Sequence, residues 1–221
     1  MRAKLFILIF VCCAAALLFP SMPGTDSLKT VFRLTDEPNE VIVRGMSGSA
    51  LTINISFGDE EVEQLIRELQ APYPLLLLDM EWAERYPEIV QLIKKRNIPT
   101  GLLGHAGMNY EQNLPLLNEQ LEKYEDFFGT KPLWFRTSDE QFPYTLRNAL
   151  WDIEVNALGS SVRWHTGEPP PVIEGEIISL PHHREQRITL TDFRKLTETR
   201  KNKSLEDVLF NMSIKTKKMP E

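Results

Sequence analysis

Cysteine is nearly absent from this chain: it has 2 among 221 residues, Cys12 and Cys13. Both lie in one apolar stretch, so the rest of the chain forms no disulfide and its core holds by packing alone. Long hydrophobic runs are also scarce. The single candidate, Leu5 to Phe19 (LFILIFVCCAAALLF), falls short of the ~20 residues a helix needs to span a bilayer. Basic excess is missing too, with 25 Lys and Arg against 31 Asp and Glu. An acidic chain is a poor partner for nucleic acid and is repelled by anionic lipid headgroups. No internal repeat and no low-complexity segment occurs. Histidine is limited to His105, His165, His182 and His183, so any imidazole-based metal site draws on these four.

What is present has a definite order. Residues 1–24 combine a short basic start (Met1-Arg2-Ala3-Lys4), the apolar run, and the breakers Pro20, Ser21, Pro23 and Gly24. That pattern describes an export signal. No A-x-A site is visible, so both a cleaved signal peptide and an uncleaved anchor stay open. The expected localisation is secreted or cell surface, with membrane contact only through an uncleaved N-terminus. No small-residue lipobox precedes either cysteine. The remainder is long enough for one domain with a sizeable core.

Residues 25–50 read as a short extension with edge strands at Thr30–Leu34 and Val41–Arg44. Beyond it, β-like runs alternate with amphipathic helical ones. Leu51–Phe57 alternates and is β-branched, as a strand does. Asp59 opens a helix to about Gln70, with Val62, Leu65, Ile66 and Leu69 on one face. Leu75–Leu78 is apolar throughout, as in a strand buried on both faces. Helical spacing then runs from Trp82 to Arg96, and Thr100–Leu103 is a strand. A helix marked by Leu114, Leu117, Leu121, Tyr124 and Phe128 can end at Gly129. Leu133–Arg136 is a strand, Pro143–Trp151 a short helix, and Ile153–Leu158, Val162–Trp164 and Ile177–Leu180 are strand-like. Residues 191–221 read as a charged helical tail. Such alternation predicts an α/β fold with a parallel sheet, open or closed into a barrel. Its working residues belong at the C-terminal strand ends. Those ends hold Asp59, Asp79, His105, Arg136 with Asp139 and Glu140, His165, and His182 with His183.

Four segments resemble the polysaccharide deacetylases, the NodB-homology carbohydrate esterases of family 4, in order and spacing. ERYPEIVQLIKKRNIPTGLLGH is similar to E-K-Y-P-E-L-V-K-x-I and the strand ending in N-H-[ST]-x-x-H. LEKYEDFFGTKPLWFR is similar to I-x-x-x-T-G-x-x-P-x-x-F-R. SALTINISFG resembles A-L-T-F-D-D-G, and GEIISLPHH resembles G-x-I-I-L-L-H-D. The likeness covers about Leu51 to His183, within a deacetylase-like domain placed at residues 51–190. It implies a distorted (β/α) barrel with a groove for sugar chains. It also implies a divalent metal, often zinc, held by one Asp and two His, with a second Asp as general base and a late His as general acid.

Carried over residue by residue, the likeness keeps little of that machinery. With Gly58 on the family glycine, the Asp-Asp pair falls on Ser56 and Phe57. His105 matches the first histidine of the second motif, and Asn109 replaces the second. Arg136 is kept, but Thr137, Ser138, Asp139 and Glu140 follow it in place of Pro-Pro-Tyr-Gly. The last histidine falls on Pro181, with His182 one residue away. The resemblance therefore implies a deacetylase-like protein without the family's hydrolysis, binding a cell-wall polysaccharide or a protein partner and needing no cofactor. The alternative is an active zinc-dependent deacetylase with relocated ligands. For that site the candidates are His105, Asp59 and Asp79, and each has a plainer reading: Asp59 and Asp79 as helix caps, His105 as a loop residue or sugar donor. Candidates for chemistry are His182 and Arg136, the latter also a structural brace. Neighbouring strand residues face opposite sides, so at most one of His182 and His183 enters the groove. Ser56, Asn109 and Asp139 are the expected groove residues. Trp134, Phe135, Trp151 and Trp164 either stack on sugars or fill the core.

Overall fold

The computed structural model describes residues 34, 35, 37, 38 and 40–210. The export segment, the strand expected at Thr30–Leu34 (apart from Leu34) and the end of the tail lie outside these residues. Strands and helices alternate: β1 (Ser49–Ile55), α1 (Glu60–Glu68), β2 (Leu75–Leu78), α2 (Met80–Arg85), α3 (Pro87–Lys95), β3 (Thr100–Gly104), α4 (Gly107–Gln112) and α5 (Pro115–Phe128). They continue with β4 (Trp134–Thr137), α6 (Tyr144–Asp152), β5 (Asn156–Ala157), β6 (Val162–Arg163), β7 (Glu176–His182), α7 (Leu190–Glu198), β8 (Asn202–Lys203) and α8 (Leu205–Phe210).

Seven strands form one parallel sheet in the order β5-β4-β3-β2-β1-β7-β6, and β8 pairs with the first two residues of β1. The sheet is strongly curled. In it β4 and β7 are four strand spacings apart, roughly 19 Å if flat. Yet Arg136 on β4 places Nη1 3.3 Å from Ser179 Oγ on β7, which requires the strands to wrap around a common interior. The result is a half-barrel, as the α/β barrel expectation requires.

Alternation along the strands sorts side chains into two cores. Leu51, Ile53, Ile55, Leu76, Leu78, Leu102, Phe135, Ile178 and Leu180 face outward and pack under the helices. Ala50, Leu75, Leu77, Leu103, Trp134 and Ile177 face inward, where Leu205 and Val208 of α8 close the base. Above this apolar floor the inward positions turn polar: Thr52, Asn54, Arg136 and Ser179 are all buried. The polar layer thus sits on the side of the C-terminal strand ends.

Several local expectations change. The helix expected from Trp82 to Arg96 is two helices. Pro87 disfavours helical backbone at the residue before it, and Tyr86 leaves the helix at φ −127, ψ 56. Val41–Arg44 makes isolated bridges to Leu158 and Glu176 rather than a ladder. Strand β5 keeps only Asn156–Ala157 of the expected Ile153–Leu158, because α6 runs on to Asp152 and Glu154 takes a positive φ of 64. The tail is not one helix. It returns to the sheet as β8 and then plugs the barrel with α8. Gly129 does end α5, in the left-handed conformation at φ 73.

Arg200 ties the tail to the sheet. Its Nε lies 2.9 Å from Glu176 Oε1, with both side chains fully buried, and Ser49 Oγ donates to the same carboxylate at 2.7 Å. Removing one partner of a buried pair leaves an uncompensated charge and costs about 3–5 kcal/mol. The variant Arg200→Met is expected to lose about that much stability in urea denaturation.

Candidate functional site

The polar layer is organised by Arg136. This side chain has no solvent exposure, so every N–H must find an acceptor inside the protein. Nε donates to the Leu158 carbonyl at 2.9 Å and Nη2 to the Gly159 carbonyl at 2.6 Å. Nη1 donates to Thr52 Oγ1 at 2.6 Å and to Asn54 Oδ1 at 3.0 Å. Burial lowers the Arg136 pKa to about 10, which still leaves it charged near neutral pH. Its counter-charge is Glu140, 3.9 Å away. Glu140 also accepts from Ser160 Oγ at 2.8 Å and Arg163 Nε at 3.0 Å. Burial pushes the Glu140 carboxyl upward, but Arg136, Ser160 and Arg163 outweigh it and hold the pKa below 4.5.

This geometry revises the first-motif register. In the resembled family the arginine braces the general base. Here it donates to Asn54, whose Nδ2 donates in turn to Ser179 Oγ at 3.1 Å. Matching Ala50-Leu51-Thr52 to A-L-T places the family pair on Asn54 and Ile55, not on Ser56 and Phe57. Asn54 has the shape of an aspartate and fits the clamp, but an amide does not serve as a general base. Ala50-Leu51-Thr52 and Gly58 give registers two residues apart, and the contact with Arg136 selects the first.

The other candidates are mostly committed to backbone. Asp59 accepts from the Glu60 amide at 2.7 Å at the start of α1 and is exposed. Asp79 accepts from the Trp82 amide at 2.8 Å and caps α2. Burial raises the Asp79 pKa, while this hydrogen bond and the nearby His105 pull it back. His105 follows the last residue of β3, half-buried, with its backbone N–H on Tyr110 Oη at 2.8 Å. Asn109 is exposed on α4, a helix not anticipated from the sequence. Asp139 accepts from the amides of Gly107 and Gln141 at 3.0 and 3.1 Å and fixes that loop. Asp79 and His105 are thus brought together, but among the described residues no three His, Cys, Asp or Glu side chains are grouped so as to hold a metal ion. The metal of the resembled family does not fit this donor set.

His182 lies behind the sheet rather than in the groove. It is 1% exposed, and its Nε2 is 3.4 Å from Glu61 Oε1 on α1. His183 points the other way. It shares a pocket of about 280 Å³ with Asn54, Ser138, Arg163, His165, Ser179 and Gln186, walled by Trp164 and Pro181. Its Nδ1 is 2.6 Å from Ser56 Oγ. The alternation rule admitted one histidine of the two, and the run Ser179, Pro181, His183 along one face identifies which. Trp134 and Phe135 belong to the core. A similar cavity of about 260 Å³ between α1 and α7 is lined by Leu69, Pro72, Phe193 and the Glu68–Arg194 pair. It contains no histidine or serine.

No known family profile and no curated protein matches the chain. Solved structures do. The chain is similar to BA3943 of Bacillus anthracis, described as a CE4 family pseudoenzyme, at 18% identity and TM-score 0.63, covering 76% of this chain and 68% of that one. A mutant of BA3943 described as having restored enzymatic activity is similar at 18% identity and TM-score 0.61, covering 75% and 68%. The chitin deacetylase of the fungal pathogen Colletotrichum lindemuthianum is similar at 12% identity and TM-score 0.62, covering 77% and 92%. The fold is therefore the distorted (β/α) barrel of the family 4 carbohydrate esterases.

The Glu140 clamp makes stability depend on acid. Its folded pKa lies below that of the unfolded chain, so its contribution is complete above about pH 4.5 and is lost as pH falls through the folded value. Urea midpoints measured between about pH 5 and about pH 3 are expected to fall more steeply for the unaltered chain than for Glu140→Gln.

Proposed function

We propose that this is an exported, deacetylase-like domain that binds a cell-wall glycan in the groove at the C-terminal strand ends and does not carry out metal-dependent deacetylation. The observation that carries the reading is the arginine clamp on Asn54. An amide occupies the place of the general base, and the acids nearby are held by backbone amides. The pocket beside it offers what a neutral sugar needs: amide, hydroxyl and imidazole groups for hydrogen bonds, and the Trp164 and Pro181 surfaces for the apolar faces of a ring. The similarity to BA3943, a pseudoenzyme, is consistent with a barrel of this kind outliving its chemistry. The export assignment rests on residues 1–24. A protein partner in the same groove is the competing occupant.

One observation favours a second reading, an active deacetylase with relocated ligands: Asp79 and His105 stand close enough to interact electrostatically. That pair needs at least one more protein donor to hold zinc. Asp59 is tied to the amide at the start of α1, and His182 is on the far side of β7.

The test uses the purified full chain. Zinc added and then dialysed is expected to be retained well below one equivalent, and no acetate is released from N-acetylglucosamine oligomers with zinc present. Calorimetry is expected to show oligomer or peptidoglycan-fragment binding that survives EDTA. His165→Ala, which removes a pocket hydrogen-bonding group, is expected to weaken it about tenfold. Stoichiometric zinc with acetate release supports the second reading, and absence of glycan binding removes the first.

A further inference from the structure

The glycan-binding reading leaves the contact between Ser56 and His183 unused. Strands β1 and β7 run in register with Ile55 opposite His182. Their ladder continues for one more bond, from the Ser56 N–H to the His182 carbonyl at 3.2 Å. Ser56 and His183 are the next pair. They leave the strands on the face that already carries Asn54, Ser179 and Pro181. That geometry explains why Ser56 Oγ meets His183 Nδ1 at 2.6 Å at the wall of the 280 Å³ pocket. Ser56 is only partly buried, and it adjoins the pocket through its contact with His183, which lines it.

We propose that Ser56 and His183 form a metal-independent acyl-transfer pair acting on small acyl esters, with Ser56 as nucleophile and His183 as general base. His183 is in the right state for this. Burial, His182 and Arg163 all lower its pKa below 6.5, so at neutral pH the imidazole is uncharged and accepts a proton. In the first step Ser56 Oγ bonds to the acyl carbon as its proton passes to His183 Nδ1. The carbonyl oxygen takes up negative charge, and the Arg163 guanidinium lining the same pocket stabilises it. The carbon–oxygen bond to the alcohol then breaks, and the departing oxygen takes the proton from Nδ1. Water completes the cycle: its proton goes to Nδ1, its oxygen bonds to the acyl carbon, and Ser56 leaves with that proton, releasing the carboxylic acid. No oxidant or further reactant is needed.

Esters are the expected class because the oxyanion partner is modest. Arg163 is 51% exposed and shares its charge with Glu140, and an alcohol departs more readily than an amine. The inference rests on the groove being the binding site, not on which glycan occupies it.

The full chain is assayed in EDTA with p-nitrophenyl acetate and, separately, with a fluorophosphonate followed by peptide mass mapping. Expected are ester hydrolysis, a covalent adduct on Ser56, and loss of both in Ser56→Ala, with the rate down about a hundredfold or more. His183→Gln lowers the rate similarly while the thermal melt stays in place. The rate falls on the acid side with a midpoint below 6.5, the ordinary histidine value. An unlabelled Ser56, or a Ser56→Ala chain as active as the parent, overturns the proposal. The adduct on the unaltered chain decides the matter even if a variant fails to fold. Because neither probe is a glycan, failure here and failure of glycan binding are separate results.

Discussion

A guanidinium buried at the centre of the barrel is the constraint from which the rest follows. Arg136 is wholly enclosed, and an unpaired buried charge costs several kcal/mol. Its neighbours are therefore acceptors: Thr52 and Asn54 on β1, Ser179 on β7, and the carbonyls of Leu158 and Gly159 after β5. These groups come from strands that a flat sheet would keep far apart. The same bonds that neutralise the arginine thus hold the curl of the sheet. They also engage Asn54 at both ends of its amide, and an amide does not accept a proton as a general base.

The barrel is divided along its axis. Leucines, Trp134 and the α8 residues Leu205 and Val208 fill the lower half with apolar volume. The polar layer begins where those side chains stop. At the mouth, the carboxylates of Asp59, Asp79 and Asp139 accept from backbone amides and shape the helix starts and loops. What is left facing the pocket includes no carboxylate: serines, an asparagine, imidazoles and a glutamine, with Arg163 paired to Glu140. That set suits hydrogen bonding to a sugar more than coordination of a cation.

Much of this was legible in the residues. The apolar run Leu75–Leu78 and the terminator Gly129 appear as read, and the strand read at Leu133–Arg136 is present one residue later, at Trp134–Thr137. The misses have physical causes. Periodicity carried one helix through Pro87 although proline restrains the residue before it. Helix α4 is six residues long, too short for its two buried positions to show a period. Strand β8 is two residues long and takes its identity from pairing with β1, which no local pattern encodes. The choice of His183 over His182 depends on which face of a strand meets the interior, and a shift of one residue reverses it. Asn54 and Ser56 share a face, and contact with Arg136 is what separates them.

On the reading proposed above, the clamp on Asn54 stands where metal chemistry would otherwise be organised. Anomalous diffraction at the zinc edge, from crystals of the full chain grown with zinc, tests it most directly. The account predicts no ordered ion at the ends of β2 and β3, with Arg136 still bonded to Asn54 and Asp79 still capping α2. An ordered zinc bound by His105 and Asp79, with Asp79 released from the Trp82 amide, would contradict it.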